Sequence, residues 1–418
     1  MAGRKVIPQR DTLWLSGADA VNLLFGVIIH VVLTRALLSD EYGTFILLLD
    51  FFHVCVILVD LGLPTLIGRD GERLGSRLNR VLTKVSRIQA SLLVVGCVVF
   101  AYVGFNLFGG WIAPAILLSL GAGMQVLAYA HRAALRALGE ARLEALVRII
   151  DRGVVALLMV VWANDLFEFA VVTLIGPTCA FLAAVSIYWV KVAPRLAEPE
   201  EPVPETAKME MGDMVRAGLP FLLASAALVV NVRVEKLLLG LMATPEDVAV
   251  FQIAWLGFIA GYGPILSLRA VLLSWFGEVR DDLEKLAHRY KRALFACAIL
   301  CPVGGLIALG VGPFAFDALF PEYAEAVKKP FYGLMLVWLF QAMASPSLSI
   351  IQIGKQPWNY TRILWAGIVI DILLCLWLIP TQSNPVVGAV GAACLASLFV
   401  FTISFAGFAR SELKPAIE

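Results

Sequence analysis

The chain is a succession of long apolar runs separated by short polar turns. A spanning helix needs about 20 apolar residues, and a windowed reading finds twelve such runs, six in each half. The first six cover roughly residues 13–37, 42–67, 88–108, 112–130, 146–162 and 169–190. The second six cover roughly 217–242, 248–276, 293–311, 331–353, 363–379 and 386–409. Arg148, Asp151 and Arg152 crowd the start of the fifth. Ten-residue segments of alternating polarity do not occur, which argues against a barrel. The pattern predicts an all-α integral membrane protein with twelve transmembrane helices.

Polar positions inside these runs fall into register. In span one, Asp19, Asn22, Gly26 and His30 follow at steps of 3, 4 and 4, on one helical face. Span two repeats the device with Asp50, His53 and Asp60. A charge at mid-bilayer depth costs about 2.5–3.5 kcal/mol on insertion scales, so these groups should face protein or water. Carboxylates and an imidazole in one arc can take up and release a proton near neutral pH. The competing reading is a static hydrogen-bonded network with spans one and seven. Arg35 lies about 160° round from Asp19 at 100° per residue. It reads equally well as an anchor snorkelling to water or as part of the site. The first two spans thus form a hairpin around an internal polar site.

Composition agrees with a polytopic chain: 418 residues, 60% of them hydrophobic, with a mean hydropathy of +0.85. Of the 33 Lys and Arg, Lys328 and Lys329 alone fall on one side, while Arg35, Arg233, Lys236 and Arg269 lie within or at the ends of spans. All the others share the opposite side, so both termini are expected in the cytoplasm and the protein in the plasma membrane. The first run is too long for a secretory peptide and lacks a small-residue cleavage pattern. The seven Cys fall within spans without metal-ligand grouping and read as small core residues. No Gly-x-x-x-x-Gly-Lys-Ser/Thr loop is present. With no metal, nucleophile or cofactor constellation either, a transporter is expected rather than an enzyme, with no nucleic-acid partner.

After residues 61–64 come Arg69, Arg73, Arg77, Arg80, Lys84 and Arg87, which on a continuous helix share roughly 80° of arc. Such a face suits an anionic leaflet at about 1 kcal/mol per charge, either as an anchor or as a head-group contact that recruits substrate. Residues 191–216 form a linker in which Pro194, Pro199, Pro202 and Pro204 alternate with Glu198, Glu200, Glu201 and Glu205. It separates an expected N-terminal bundle, 1–190, from a C-terminal one, 217–418. Residues 38–45 align with 244–251, each the first outer turn of its half, as parallel repeats would have it.

The second half supplies cations. Span seven carries Asn231, Arg233, Glu235 and Lys236, with Arg233 and Lys236 about 60° apart. In span eight Gln252, Trp255, Tyr262 and Arg269 share a face that Pro264 is expected to bend. Pro177, Pro302 and Pro346 are expected to interrupt their spans. Asp371, alone in span eleven, is expected to form a salt bridge with one of the cations.

Six stretches resemble the Wzx-type polysaccharide flippases of the multidrug/oligosaccharidyl-lipid/polysaccharide (MOP) exporter superfamily. They are Leu33-Thr-Arg-Ala-Leu-Leu-Ser-Asp-Glu-Tyr-Gly with Asp60-Leu-Gly-Leu-Pro64; Ala134-Leu-Arg-Ala-Leu-Gly-Glu-Ala-Arg-Leu-Glu-Ala-Leu; Ala217-Gly-Leu-Pro220; Lys236-Leu-Leu-Leu-Gly-Leu-Met-Ala-Thr-Pro-Glu-Asp; and Val387-Gly-Ala-Val-Gly-Ala-Ala-Cys-Leu-Ala-Ser. Glu235-Lys236 stands where many relatives carry an acidic residue before Leu-Leu-Leu-Gly, and Val248 and Ala249 replace the usual Tyr or Gly. The resemblance implies two six-helix bundles around a central cavity, moving a lipid-linked oligosaccharide to the outer leaflet. It also implies phosphate contacts, for which Arg269, Arg233, Lys236, His30 and Arg35 are the candidates. Coupling to a H+ or Na+ gradient, without other cofactors, falls to Asp19, Asn22, Asp50, His53 and Asp60. Anionic lipids and the glycosyltransferases or polymerase of the same pathway are the expected partners.

Three rival readings stand beside this one. A drug antiporter of the same superfamily would want an apolar, acidic cavity. A membrane glycosyltransferase or polymerase would want a sizeable outer loop. A non-transporting scaffold would not need the Asp19-Asn22-His30 stripe.

Overall fold

The computed structural model describes residues 9–109, 112–196, 205–279, 282–353 and 358–409. The side chains at 9–12, 262–264, 266–267, 270, 274 and 407–409 lie outside that description. Among the described residues there is no strand. Ten helices are long and apolar enough to cross a membrane. Adding α7 (Ala141–Val161) and α11 (Pro245–Gly277) gives the expected twelve. The charges at 144–152 are what keep α7 off an apolar count.

By packing, the chain divides into two compact units, Met1–Val229 and Val230–Glu418. The division falls inside span seven and not at the linker, because the chain after the linker docks on the first unit. Thr206 is buried and its hydroxyl donates to Asp70. Lys84 Nζ donates to the Met209 carbonyl at 3.0 Å, and Met214 is fully buried in the cluster formed by Leu63, Leu78 and Leu82.

The first unit opens with α1 (Gln9–Ala36) and α2 (Ser39–Cys55). A short turn α3 (Ile57–Asp60) follows, ended by Leu61 and Gly62, both with left-handed φ of 52° and 68°. Pro64 then sits in the first turn of α4 (Leu63–Leu74), where its missing N–H costs nothing. A Cβ on Gly62 would strike the backbone of Gly218 and Leu222 on α9 (Met211–Asn231). The two Gly-Leu-Pro stretches therefore meet backbone to backbone, and glycine is required at Gly62 for both its φ and the approach. Next come α5 (Leu78–Phe108), α6 (Ile112–Ala137), α7 and α8 (Leu166–Ile187). The close approach of α7 and α8 depends on Gly176, where a Cβ would meet the Asp151 carbonyl.

The second unit runs from α10 (Val234–Met242) through α11, α12 (Leu283–Leu319), α13 (Ala324–Ile353) and α14 (Trp358–Thr381) to α15 (Pro385–Ile403). Pro177, Pro302 and Pro346 all lie inside continuous helices and do not interrupt them. The helix also continues through position 264. The aligned outer turns share one capping device. Glu41 Oε2 accepts from the Leu38 amide at 3.2 Å, and Asp247 Oδ2 accepts from the Thr244 amide at 3.2 Å. In each half a carboxylate three residues into the helix reaches back to satisfy an orphan donor.

Candidate functional site

A small open cavity, with about 50 Å³ of space for water-sized groups, lies within the first unit. Its polar lining comes from His30 on α1, His53 on α2, Gln125 on α6, Asp151 and Arg152 on α7 and Thr173 on α8. Gly26, Leu33, Phe45, Val155, Met159 and Pro177 supply apolar wall. The helical stripe of α1 thus contributes Gly26 and His30 to the cavity, whereas Asp19 and Asn22 lie nearer the helix start.

Each histidine is held by its own hairpin or its neighbour. His30 Nδ1 is hydrogen-bonded to the Tyr42 hydroxyl at 2.8 Å. His53 Nδ1 lies 2.6 Å from the Leu49 carbonyl and Nε2 lies 3.1 Å from Gln125 Oε1. The Leu49 carbonyl can only accept, so Nδ1 carries the proton of the neutral ring and Nε2 is the acceptor that the amide end of Gln125 serves. Asp151 is buried, and its Oδ1 has no hydrogen-bond partner among the described residues. Towards the start of α7 the charges interlock. Fully buried Glu144 accepts from Arg136 and Arg148, and Arg148 also donates to Asp19 Oδ1 at 2.7 Å. Two runs of charge on one helix therefore differ: Glu144 and Arg148 are hydrogen-bonded to each other, whereas Asp151, buried near the charges of Arg152 and Arg132, and Arg152 border the cavity.

Other expected site residues lie elsewhere. Arg35 is exposed and does not line the cavity. The helix loosens at Val56 but stays helical to Asp60, which closes its last turn, and neither Asp50 nor Asp60 joins His53 in the cavity lining. Gln89 Nε2 reaches the Asp60 carbonyl at 3.4 Å, and Asp50 is buried outside the cavity lining. The basic face is split. Gly75, with φ of 51°, ends α4, a 3₁₀ turn spans Gly75–Arg77, and α5 starts afresh at Leu78. Arg73, Arg80 and Arg87 are exposed and Arg77 is half-buried. Arg69 is exposed but forks onto Asp70, and Lys84 is spent on the docked linker.

In the second unit, Lys236 is buried, donates to Gln252 Oε1 at 2.8 Å and lies over the Trp255 ring at 5.8 Å. Arg233 is half-buried at the start of α10. Arg269 Nε donates to Ser345 Oγ at 3.1 Å. Asp371 does not pair with a cation as expected. Its carboxyl lies close to that of Glu235, both are buried, and Cys375 Sγ lies 3.7 Å from Asp371 Oδ1. The side chain of Tyr262 lies outside the described residues. Sequence reasoning missed Gln125, Asp151, Arg152 and Glu235 as site residues. The available signal was the cost of Asp151 and Arg152 themselves, read as a ragged span start instead of as an inward face.

Residues 9–256 match the family described as "Polysaccharide biosynthesis protein". The chain belongs to this family. Comparison with curated proteins yields no match. Among solved structures, an inward-facing multidrug resistance MATE family transporter of the MOP superfamily is similar at TM-score 0.75 and 15% identity, with 95% of each chain covered. A MOP superfamily transporter from Pyrococcus furiosus, for which reverse polarity of the binding pocket suggests a different function, is similar at TM-score 0.68 and 16% identity, with 98% of this chain and 97% of that chain covered. These likenesses establish that this polysaccharide biosynthesis family member has the MOP transporter fold. Its many long apolar helices and this fold make it a multi-pass membrane protein.

Proposed function

We propose that the protein is an exporter in the plasma membrane, with both termini cytoplasmic. It carries a lipid-linked oligosaccharide from the cytoplasmic to the outer leaflet by alternating access. The observation that carries this reading is the cavity of the first unit. Imidazole, amide, hydroxyl, carboxylate and guanidinium groups border it together, a donor–acceptor mixture suited to sugar hydroxyls and unlike the apolar acidic pocket that organic cations favour. Family membership in polysaccharide biosynthesis points the same way. Exposed Arg73, Arg80 and Arg87 are assigned to anionic lipid head groups. Coupling to a H+ or Na+ gradient is assigned to Glu235 and Asp371, because two buried carboxyls lying close together need a proton or a metal cation between them.

The second reading, a small-molecule antiporter, is favoured by the likeness to multidrug transporters. One experiment separates the two. Depleting the protein in its native host should make lipid-linked glycan accumulate on the inner leaflet and surface glycan fall, with drug susceptibility unchanged. Normal surface glycan together with heightened drug susceptibility would reverse the assignment.

A further inference from the structure

We infer that the first turns of α12 hold an anionic phospholipid of the surrounding bilayer, its phosphate against His288, Lys291 and Arg292 and an acyl chain along Phe295 and Ile299. Placing this lipid in the cytoplasmic leaflet rests on the proposed orientation of the termini. The surface itself rests on the exposure and spacing of residues on α12.

One outward face runs along almost the whole of α12. At 100° per residue, His288, Arg292, Phe295, Ile299, Val303 and Phe314 fall within about 100° of arc, and all of them are exposed. The face changes character once, between Arg292 and Phe295. From Phe295 to Phe314 no charged, amide or hydroxyl side chain occurs. That run rises about 28 Å at 1.5 Å per residue, close to the roughly 30 Å of bilayer hydrocarbon. Arg292 and Lys291 then lie about 4.5 Å and about 6 Å beyond the apolar run, within a head-group layer of about 5–8 Å per leaflet, and His288 lies about 10 Å beyond. Neighbouring cations on the same helix are already engaged. Lys285 pairs with Asp282 at 2.7 Å. Arg289 donates to the Trp275 carbonyl and to Glu278 Oε2 and stacks on the Trp275 ring at 5.3 Å, an aromatic anchor of the kind found at head-group level. His288, Lys291 and Arg292 instead enter no hydrogen bond or ion pair among the described residues. Glu284, the exposed acid one turn earlier on this face, lies farther from the apolar run than all three. Three basic side chains at i, i+3 and i+4 are neighbours on a helix surface. Bordering a bare apolar stripe, they match a phosphate with its acyl chains alongside that stripe. A second copy of the chain packed on the stripe about an axis along the membrane normal would set Lys291 and Arg292 against like charges at the same depth, which electrostatics opposes.

Site-directed photocrosslinking of the full-length protein tests the surface. The protein is placed in nanodiscs of equimolar phosphatidylglycerol and phosphatidylcholine, with photoreactive benzoylphenylalanine at position 295 or, in a second preparation, at position 314. Lipid adducts are then counted by mass spectrometry. At position 295 phosphatidylglycerol adducts are expected to outnumber phosphatidylcholine adducts roughly fivefold, the weight of one cation beside an anionic head group. At position 314, on the same face but at the other end of the apolar run, the two should be nearly equal. Combining His288→Gln, Lys291→Gln and Arg292→Gln should bring the ratio at position 295 to near one as well. Equal adducts at position 295 in the otherwise unchanged chain overturn the inference, as does the same enrichment at both positions. So does a ratio that the triple variant leaves unaltered, or crosslinks joining two copies of the chain in place of lipid adducts. The comparison of positions 295 and 314 does not depend on how the triple variant folds. The two leaflets of a nanodisc are alike, so the readout is independent of orientation and of glycan export in cells, where the exporter reading stands or falls.

Discussion

Buried polar groups around Lys236 and around Asp151 are treated differently. Around Lys236 in the second unit the polar groups are held by protein: Lys236 donates to Gln252 and lies over Trp255, while Glu235 and Asp371 lie close together, buried. In the first unit His30, His53 and Gln125 are oriented by protein partners, while Asp151 and Arg152 border open space beside them. The difference is one of purpose as well as geometry. Buried charge that protein groups satisfy fixes a packing arrangement or holds a small cation, whereas buried charge left towards a cavity is matched by what enters it.

The contrast can be broken by substitutions, and the largest effect belongs to a closed cluster. Glu144→Ala removes the fully buried carboxylate on which Arg148 and the partly exposed Arg136 converge, so it should cost about 1–3 kcal/mol and lower the melting temperature in detergent by several degrees. Arg152→Gln should cost under about 1 kcal/mol or even stabilise, because no protein partner is lost. If Arg152→Gln destabilised as much as Glu144→Ala, the distinction between closed and open charge would be wrong. The smallest effects belong to the two equivalent caps. Glu41→Ala and Asp247→Ala should each cost about 0.5–1 kcal/mol, and unequal losses would weaken the case that the two outer turns are repeats.

Run lengths made the spanning helices legible, since lipid demands about 20 apolar residues whatever the fold. The turn at residues 38–45 and its counterpart at 244–251 were legible too, and the structure explains their likeness through Glu41 and Asp247. Angular counting failed wherever the helix was not continuous. Val56, where the helix loosens, lies between His53 and Asp60, and Gly75 separates Arg73 from Arg80. Nothing local marks Leu61 for a φ of 52°, because the docking of α9 against Gly62 holds it there. The linker residues Thr206 and Met209 belong to the first unit through contacts with Asp70 and Lys84 that only tertiary structure reveals. Asp371 was assigned to a cation because its true partner, Glu235, is distant in sequence and of like charge.

The most direct test of the central claim is the rate at which purified protein in liposomes moves a lipid-linked oligosaccharide from one leaflet to the other. Wild-type protein should translocate it, and Arg152→Gln, folded and inserted to the same extent, should slow translocation at least tenfold, the weight of one charge-assisted contact. Translocation by Arg152→Gln at the wild-type rate would contradict the account.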